Sequence, residues 1–133
     1  MRPVTVVCED RTGLLADVSY ILSKSNVNIN SLDVHVVGGK AVISLEVKDP
    51  KKAQNILEKN GYDTVELGAI VIKLSNKFRT IAEVREMLTK KKVKMENISE
   101  ISSDVNDGVF AITVNKPRKA CRLLEQFMVY STC

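Results

Sequence analysis

The residues of this chain best suited to chemistry are Glu9-Asp10-Arg11-Thr12-Gly13-Leu14-Leu15. A β-branched run, Val4–Cys8, precedes them and an apolar-periodic segment follows, so they join a strand to the mouth of a helix. At such a mouth the first backbone N–H groups have no intrahelical acceptor, and the helix dipole favours an anion. Gly13 has no Cβ, so another group can approach its backbone closely. Asp10 or Thr12 is placed to cap the helix. A second polar set, Asn28 and Asn30 around Ile29, offers amide oxygens that accept from an ammonium group. Together these types suit a non-covalent grip on a small zwitterion. Plainer roles exist for the same residues: Gly13 as a turn glycine, Asp10 as a cap only, and the asparagines as caps on a strand end.

Catalytic constellations are missing. The single histidine, His35, sits on the polar side of an alternating strand, and with no second histidine the usual metal sites and histidine-based triads lose their parts. Glu9-Asp10, and Asp104 with Asp107, fit turns and caps better than an acid–base pair. There is no P-loop and no GxGxxG, and no nucleophile has an activating neighbour. Cys8, Cys121 and Cys133 are odd in number and lack metal-ligand spacing, so they read as reduced, mostly buried thiols. No catalytic residue, metal or cofactor is therefore expected.

The elements that position the loop follow from periodicity. Leu14, Leu15, Val18, Ile21 and Leu22 share one helical face, and Ser25-Asn26 ends that helix. Ile29–Val37 is extended, with Leu32, Val34 and Val36 expected inward and Ser31, Asp33 and His35 outward. Gly38-Gly39 makes a hairpin turn into Ala41–Val47. Asp49 caps a second helix with Pro50 at its first position and Ala53, Ile56 and Leu57 as its apolar stripe. Asn60-Gly61 stops it, and Tyr62–Leu67 closes the unit.

The pattern then repeats. Leu15, Ala16, Val18, Ile21 and Leu22 recur 66 positions later as Ile81, Ala82, Val84, Met87 and Leu88. After a one-residue insertion the offset is 67: Val42–Val47 aligns with Val109–Val114, and Pro50–Ala53 with Pro117–Ala120. The second copy should hold a strand at Ala69–Leu74, a helix from about Thr80 to Lys91, strands around Ile98–Asp104 and Val109–Val114, a turn at Asn106-Asp107-Gly108, a helix from about Pro117 to Gln126 and a last strand at Val129–Cys133. The expected fold class is α+β: two tandem ferredoxin-like βαββαβ domains, residues 1–67 and 68–133, each an antiparallel sheet with helices on one face.

That plan hosts many functions. RNA-recognition modules of this plan stack bases on aromatics of their two central strands; here those strands carry Val4-Thr5-Val6-Val7 and Val42-Ile43-Ser44-Leu45, and Phe110 in copy two is assigned to the core. The net charge is a mild +4, concentrated at Lys90-Lys91-Lys92 and Lys94, which suits a solvated helix end as well as an acidic partner. Nucleic acid is not an expected partner. The apolar runs are too short to span a bilayer and no signal peptide is recognisable, so the expected location is the cytoplasm and no membrane is an expected partner.

Asp10-Arg11-Thr12-Gly13-Leu14-Leu15-Ala16 resembles the signature of the ACT domain family, regulatory modules that bind amino acids and similar small ligands. Thr12 stands where that family often has proline. Val27-Asn28-Ile29-Asn30 is similar to the segment that opens the family's second strand. The resemblance implies a ligand site formed by Asp10, Arg11, Thr12, Gly13, Leu14 and Leu15 against Asn28, Ile29 and Asn30 of an apposed domain, in a protein that pairs as a homodimer and regulates allosterically. In copy two the position of Gly13 holds Arg79, within Ser75-Asn76-Lys77-Phe78-Arg79-Thr80, so that copy is expected to have lost the site. Two functional readings stand: a non-catalytic, amino-acid-binding regulatory protein, or a ligand-free interaction subunit for a metabolic enzyme or transcription factor that docks through exposed strand edges.

Overall fold

The computed structural model describes residues 3–75 and 77–128, without the side chains of 77–80. The chain divides into two compact units, Met1–Leu67 and Gly68–Cys133, and each repeats the same plan.

In unit 1, β1 (Val4–Glu9), α1 (Leu14–Lys24), β2 (Ile29–Val37), β3 (Lys40–Val47), α2 (Pro50–Lys59) and β4 (Asp63–Thr64) follow one another. The antiparallel sheet has the order β2-β3-β1-β4. Alternation selects the core: Val4 and Val6 from β1 and Ala41, Ile43, Leu45 and Val47 from β3 point to the helices. They meet Leu14, Val18 and Leu22 of α1 and Ala53 and Leu57 of α2. Burying such side chains fully is worth about 1.5–3 kcal/mol each, and this drive fixes the register of the central strands.

Local chemistry sets the ends. Asn26 takes a left-handed φ of 61°, and Val27 N–H returns to the Leu22 carbonyl at 2.9 Å, which closes α1 with a Schellman-type turn. Lys92 (φ 60°) and the Val93 N–H to Leu88 carbonyl bond at 2.9 Å repeat that closure in unit 2. Asp49 caps α2 by accepting from Lys52 N–H at 3.2 Å, with Pro50 at the first helical position.

Two expectations for unit 1 are corrected. The closing strand is not Tyr62–Leu67 but Asp63–Thr64 alone. Beyond it one more backbone bond, from the Val65 N–H to the Thr5 carbonyl at 2.9 Å, reaches β1, while the Val65 carbonyl accepts from the Gln54 side chain at 3.3 Å and the Thr64 hydroxyl is held by Gln54 and Glu58. The expected inward stripe of β2 is only half covered: Leu32 packs on the core, but Val34 is 37% and Val36 52% exposed. Strand β2 is the edge of the sheet, where the helix layer gives out.

Unit 2 contains β5 (Ile70–Ser75), α3 (Lys77–Lys90), β6 (Met95–Ser103), β7 (Asp107–Val114) and α4 (Pro117–Leu123), ending in a 3-10 turn at Glu125–Phe127. Its sheet has the order β5-β7-β6, so β7 takes the place of β3 and β6 that of β2. Phe110 lies in the core, as expected, with Ile72, Leu88 and Ile112. Met128 makes one antiparallel bridge to Ile72; the expected strand Val129–Cys133 lies outside the described residues. The hairpin turn is shifted from Asn106-Asp107-Gly108. Asp104 Oδ1 accepts from the N–H groups of Asn106 and Asp107, and Asp104 N–H donates to the Asp107 carbonyl. That Asx-type turn leaves Gly108 in β7, opposite Leu74. Helix α4 stops three residues short of Gln126. Cys8 is free, as expected, but Cys121 is disulfide-bonded; Cys133 lies outside the described residues.

Candidate ligand-binding site

The loop after β1 is built as a helix mouth held open. Asp10 N–H donates to the Gly39 carbonyl at 3.1 Å, tying the loop to the β2–β3 hairpin. Gly13 is the residue that caps α1, with φ 81° and ψ 3°, a left-handed conformation that glycine adopts without steric cost. Neither Asp10 nor Thr12 caps the helix: the cap position is Gly13, and no side-chain cap bond is present there among the described residues. Leu14 N–H reaches back to the Arg11 carbonyl at 3.3 Å and Asp17 N–H to the Gly13 carbonyl at 3.0 Å. The amides of Leu15 and Ala16 lie between them in the first turn, where α-helical pairing offers no carbonyl. A Cβ on Gly13 would meet nothing within 4 Å, so among the described residues no atom occupies the space where a side chain at this position would stand.

Beside it lies a hollow of about 490 Å3 lined by Cys8, Arg11, Asp17, Tyr20, Asn60 and Tyr62, among others. Arg11 is fixed in it at two points, to Asp17 Oδ2 at 2.7 Å and to the Tyr62 hydroxyl at 2.9 Å. The bond to Asp17 raises the Arg11 pKa above its ordinary value. Burial pushes the Cys8 thiol up; the nearby Arg11 charge opposes this, and Asp10 and Glu9 add to it. Asp17 and Tyr62 were not singled out from the sequence. Asp17 carried a signal, as an acid in the first turn of a helix that follows an arginine-bearing loop; Tyr62 carried none, because only the fold brings it across to Arg11.

The candidate residues divide into two groups. Asp10, Arg11, Thr12 and Gly13 are exposed, while Leu14 is buried in the core and offers only its backbone; Leu15 is 41% exposed. Asn28 and Asn30 are exposed and Ile29 packs on the core. Within unit 1 these groups are at opposite ends of the sheet. Glu9 pairs with Lys40 at the hairpin end, whereas Ile29 pairs with Val47 at the other. Seven residues of strand at about 3.4 Å each separate the ends by roughly 24 Å. One unit alone cannot close both groups on a small ligand.

Unit 2 lacks the loop. Strand β5 ends at Ser75 and α3 begins at Lys77, so the positions aligned with Arg11, Thr12 and Gly13 are helical, and Arg79 lies inside the helix. A hollow of about 600 Å3 lies here, lined by Arg85, Lys92, Lys94, Met95 and Asn97, among others. It lies at the α3–β6 end, the position that Asn28–Asn30 hold in unit 1. Lys90 pairs with Glu86 at 3.4 Å, as a solvated helix end should. Among the described residues no three His, Cys, Asp or Glu side chains group to hold a metal, and no helix is long and apolar enough to cross a membrane.

The model of the ACT domain family matches residues 4–59. No curated protein matches the chain. Among solved structures, it is similar to the protein BT0572 from Bacteroides thetaiotaomicron, at 21% identity and TM-score 0.47, covering 93% of this chain and 85% of that one. It is also similar to the regulatory subunit of aspartate kinase from Thermus thermophilus, at 13% identity and TM-score 0.44, covering 95% and 93%. A glycine cleavage system transcriptional repressor is similar at 13% identity and TM-score 0.38, covering 93% and 87%.

Proposed function

From a chain whose residues 4–59 are an ACT domain, we propose a non-catalytic regulatory protein that binds an amino acid or similar small molecule at the mouth of α1. The observation that carries the reading is Gly13: a left-handed, exposed glycine at an uncapped helix start, with open space where a side chain would stand. A ligand carboxylate fits the amides of Leu15 and Ala16. Its ammonium fits Asn28 and Asn30 of an apposed domain; within one unit those residues are roughly 24 Å from the loop, which supports a second domain as their source. The protein acts as a homodimer in the cytoplasm, and the ligand regulates by favouring one domain arrangement over another.

The test is a panel of the common amino acids in a thermal-shift assay on the full chain. At least one compound raises the melting temperature in a saturable way. A panel with no stabilising compound, together with recovery of one stoichiometric protein partner such as a metabolic enzyme, would replace this reading with that of a ligand-free interaction subunit. The half-exposed edge of β2 supports that second reading.

A further inference from the structure

The two units carry different charge at one shared place in the fold. Their backbones fix which residues correspond. Asn26 and Lys92 are both left-handed, at φ 61° and 60°. Leu32 pairs with Leu45 in unit 1 as Ile98 pairs with Ile112 in unit 2. On this alignment Ser19, Asn26 and Asn28 become Arg85, Lys92 and Lys94. Three neutral side chains are thus replaced by three cations, and all three line the hollow of about 600 Å3 between α3 and β6. Glu96, in place of Asn30, is the acidic residue of the described lining.

Helix-end chemistry does not account for the change. Helices α1 and α3 have the same dipole, and each already holds a lysine in its last turn, Lys24 and Lys90. Arg85 stands further back in α3, outside that turn. A left-handed φ suits asparagine better than a residue with a long side chain, so unit 2 keeps Lys92 against its backbone preference. Strain of this kind gathers at functional sites. Nor do the three cations serve internal ion pairs: among the described residues no carboxylate pairs with them. Their backbones are nonetheless held firmly. Lys92 N–H donates to the Thr89 carbonyl at 3.0 Å. Lys94 N–H donates to Asn115 Oδ1 at 2.8 Å, and Asn115 N–H returns to the Lys94 carbonyl at 3.1 Å.

We propose that this hollow of unit 2 binds a compact phosphorylated small molecule, gripped by Arg85, Lys92 and Lys94. The guanidinium fork matches phosphate oxygens, and the two lysines add point charges on a fixed backbone. The volume is typical of a small-ligand site. Clustered negative charge uses all three cations at once, which a single carboxylate does not. An extended nucleic acid fits poorly. The described lining holds no aromatic ring on which a base could stack, and Glu86 on α3 with Glu96 and Glu100 on β6 interrupt a basic track for a phosphate backbone. The site is separate from the mouth of α1 and stands whether or not an amino acid binds there.

The experiment is a calorimetric titration of the full chain with inorganic pyrophosphate at constant ionic strength, so that screening is the same throughout. R85S, K92N and K94N each install the residue of unit 1, and K51Q removes one exposed charge from α2 as a control. The parent should bind saturably with Kd below about 1 mM, each of the three variants about tenfold or more weakly, and K51Q within about twofold of the parent. E96N, which removes the opposing carboxylate, should tighten binding by about threefold. K92N should melt no lower than the parent, since asparagine is what unit 1 uses at that φ, so its loss of affinity is not loss of fold. No saturable binding up to about 10 mM, or equal weakening in K51Q, overturns the proposal. A single-stranded oligonucleotide that binds more tightly per phosphate than pyrophosphate overturns it too, in favour of a nucleic-acid track.

Discussion

Replacing Gly13 by alanine separates backbone strain from ligand contact. At φ 81° an L-residue pays about 1–2 kcal/mol that glycine does not. Steric overlap adds nothing, because the new Cβ has no atom within 4 Å. For a domain the size of unit 1, that cost lowers the melting temperature by roughly 5–15 °C. Gly61, at φ 86° with the same open surroundings, controls for backbone strain, and G61A should lose a similar amount; it lines the neighbouring hollow but is not at the helix mouth that offers the amides. The difference lies in the response to ligand. At a hundredfold excess over Kd the parent gains about 2.7 kcal/mol. If the methyl group removes one charge-assisted amide contact, at about 2 kcal/mol, affinity falls roughly thirtyfold. The same ligand concentration then yields only about 0.9 kcal/mol. The assay is a thermal melt of parent, G13A and G61A across a titration of the stabilising amino acid. A ligand-induced shift in G13A equal to that of the parent would refute the helix-mouth reasoning.

Other expectations follow from single contacts. Asp49→Ala removes the side-chain cap on α2 and should cost about 0.5–2 kcal/mol in urea unfolding, with no change in ligand response. Leu22→Ala empties a fully buried position between α1 and the sheet and should cost about 2–5 kcal/mol by the same measurement. Cys8 has its pKa raised mainly by burial, so at pH 8 less of it is thiolate than of an exposed cysteine; its alkylation should be slower than that of a model thiol at pH 8 and should accelerate as pH rises further. A Cys8 that reacts as fast as the model thiol at pH 8 would show that burial does not govern it.

Much of this protein is legible from sequence because much of it is local. Strand alternation in Val4–Glu9 and Lys40–Val47, helical spacing in Leu14, Val18 and Leu22, the Asp49-Pro50 start and the double glycine of the hairpin each encode their own geometry, and the repeat doubles the evidence for every element. The glycine of the loop belongs to the same class, since a left-handed residue between strand and helix is a local demand; the missing cap does not, because Asp10 and Thr12 have the types of caps and neither serves as one. What the sequence could not supply depends on neighbours distant along the chain. Arg11 is held by Tyr62, 51 residues away, and nothing near either residue announces the pair. The closing strand is only two residues long, and the Gln54 and Glu58 side chains of α2 that hold Thr64 and the Val65 carbonyl reach them across the fold. The alternation of β2 promises an inward stripe, yet Val34 and Val36 stay half-exposed because only the sheet order makes β2 an edge. Residue pattern specifies which face of an element is apolar; the topology decides whether anything within the chain is there to cover it.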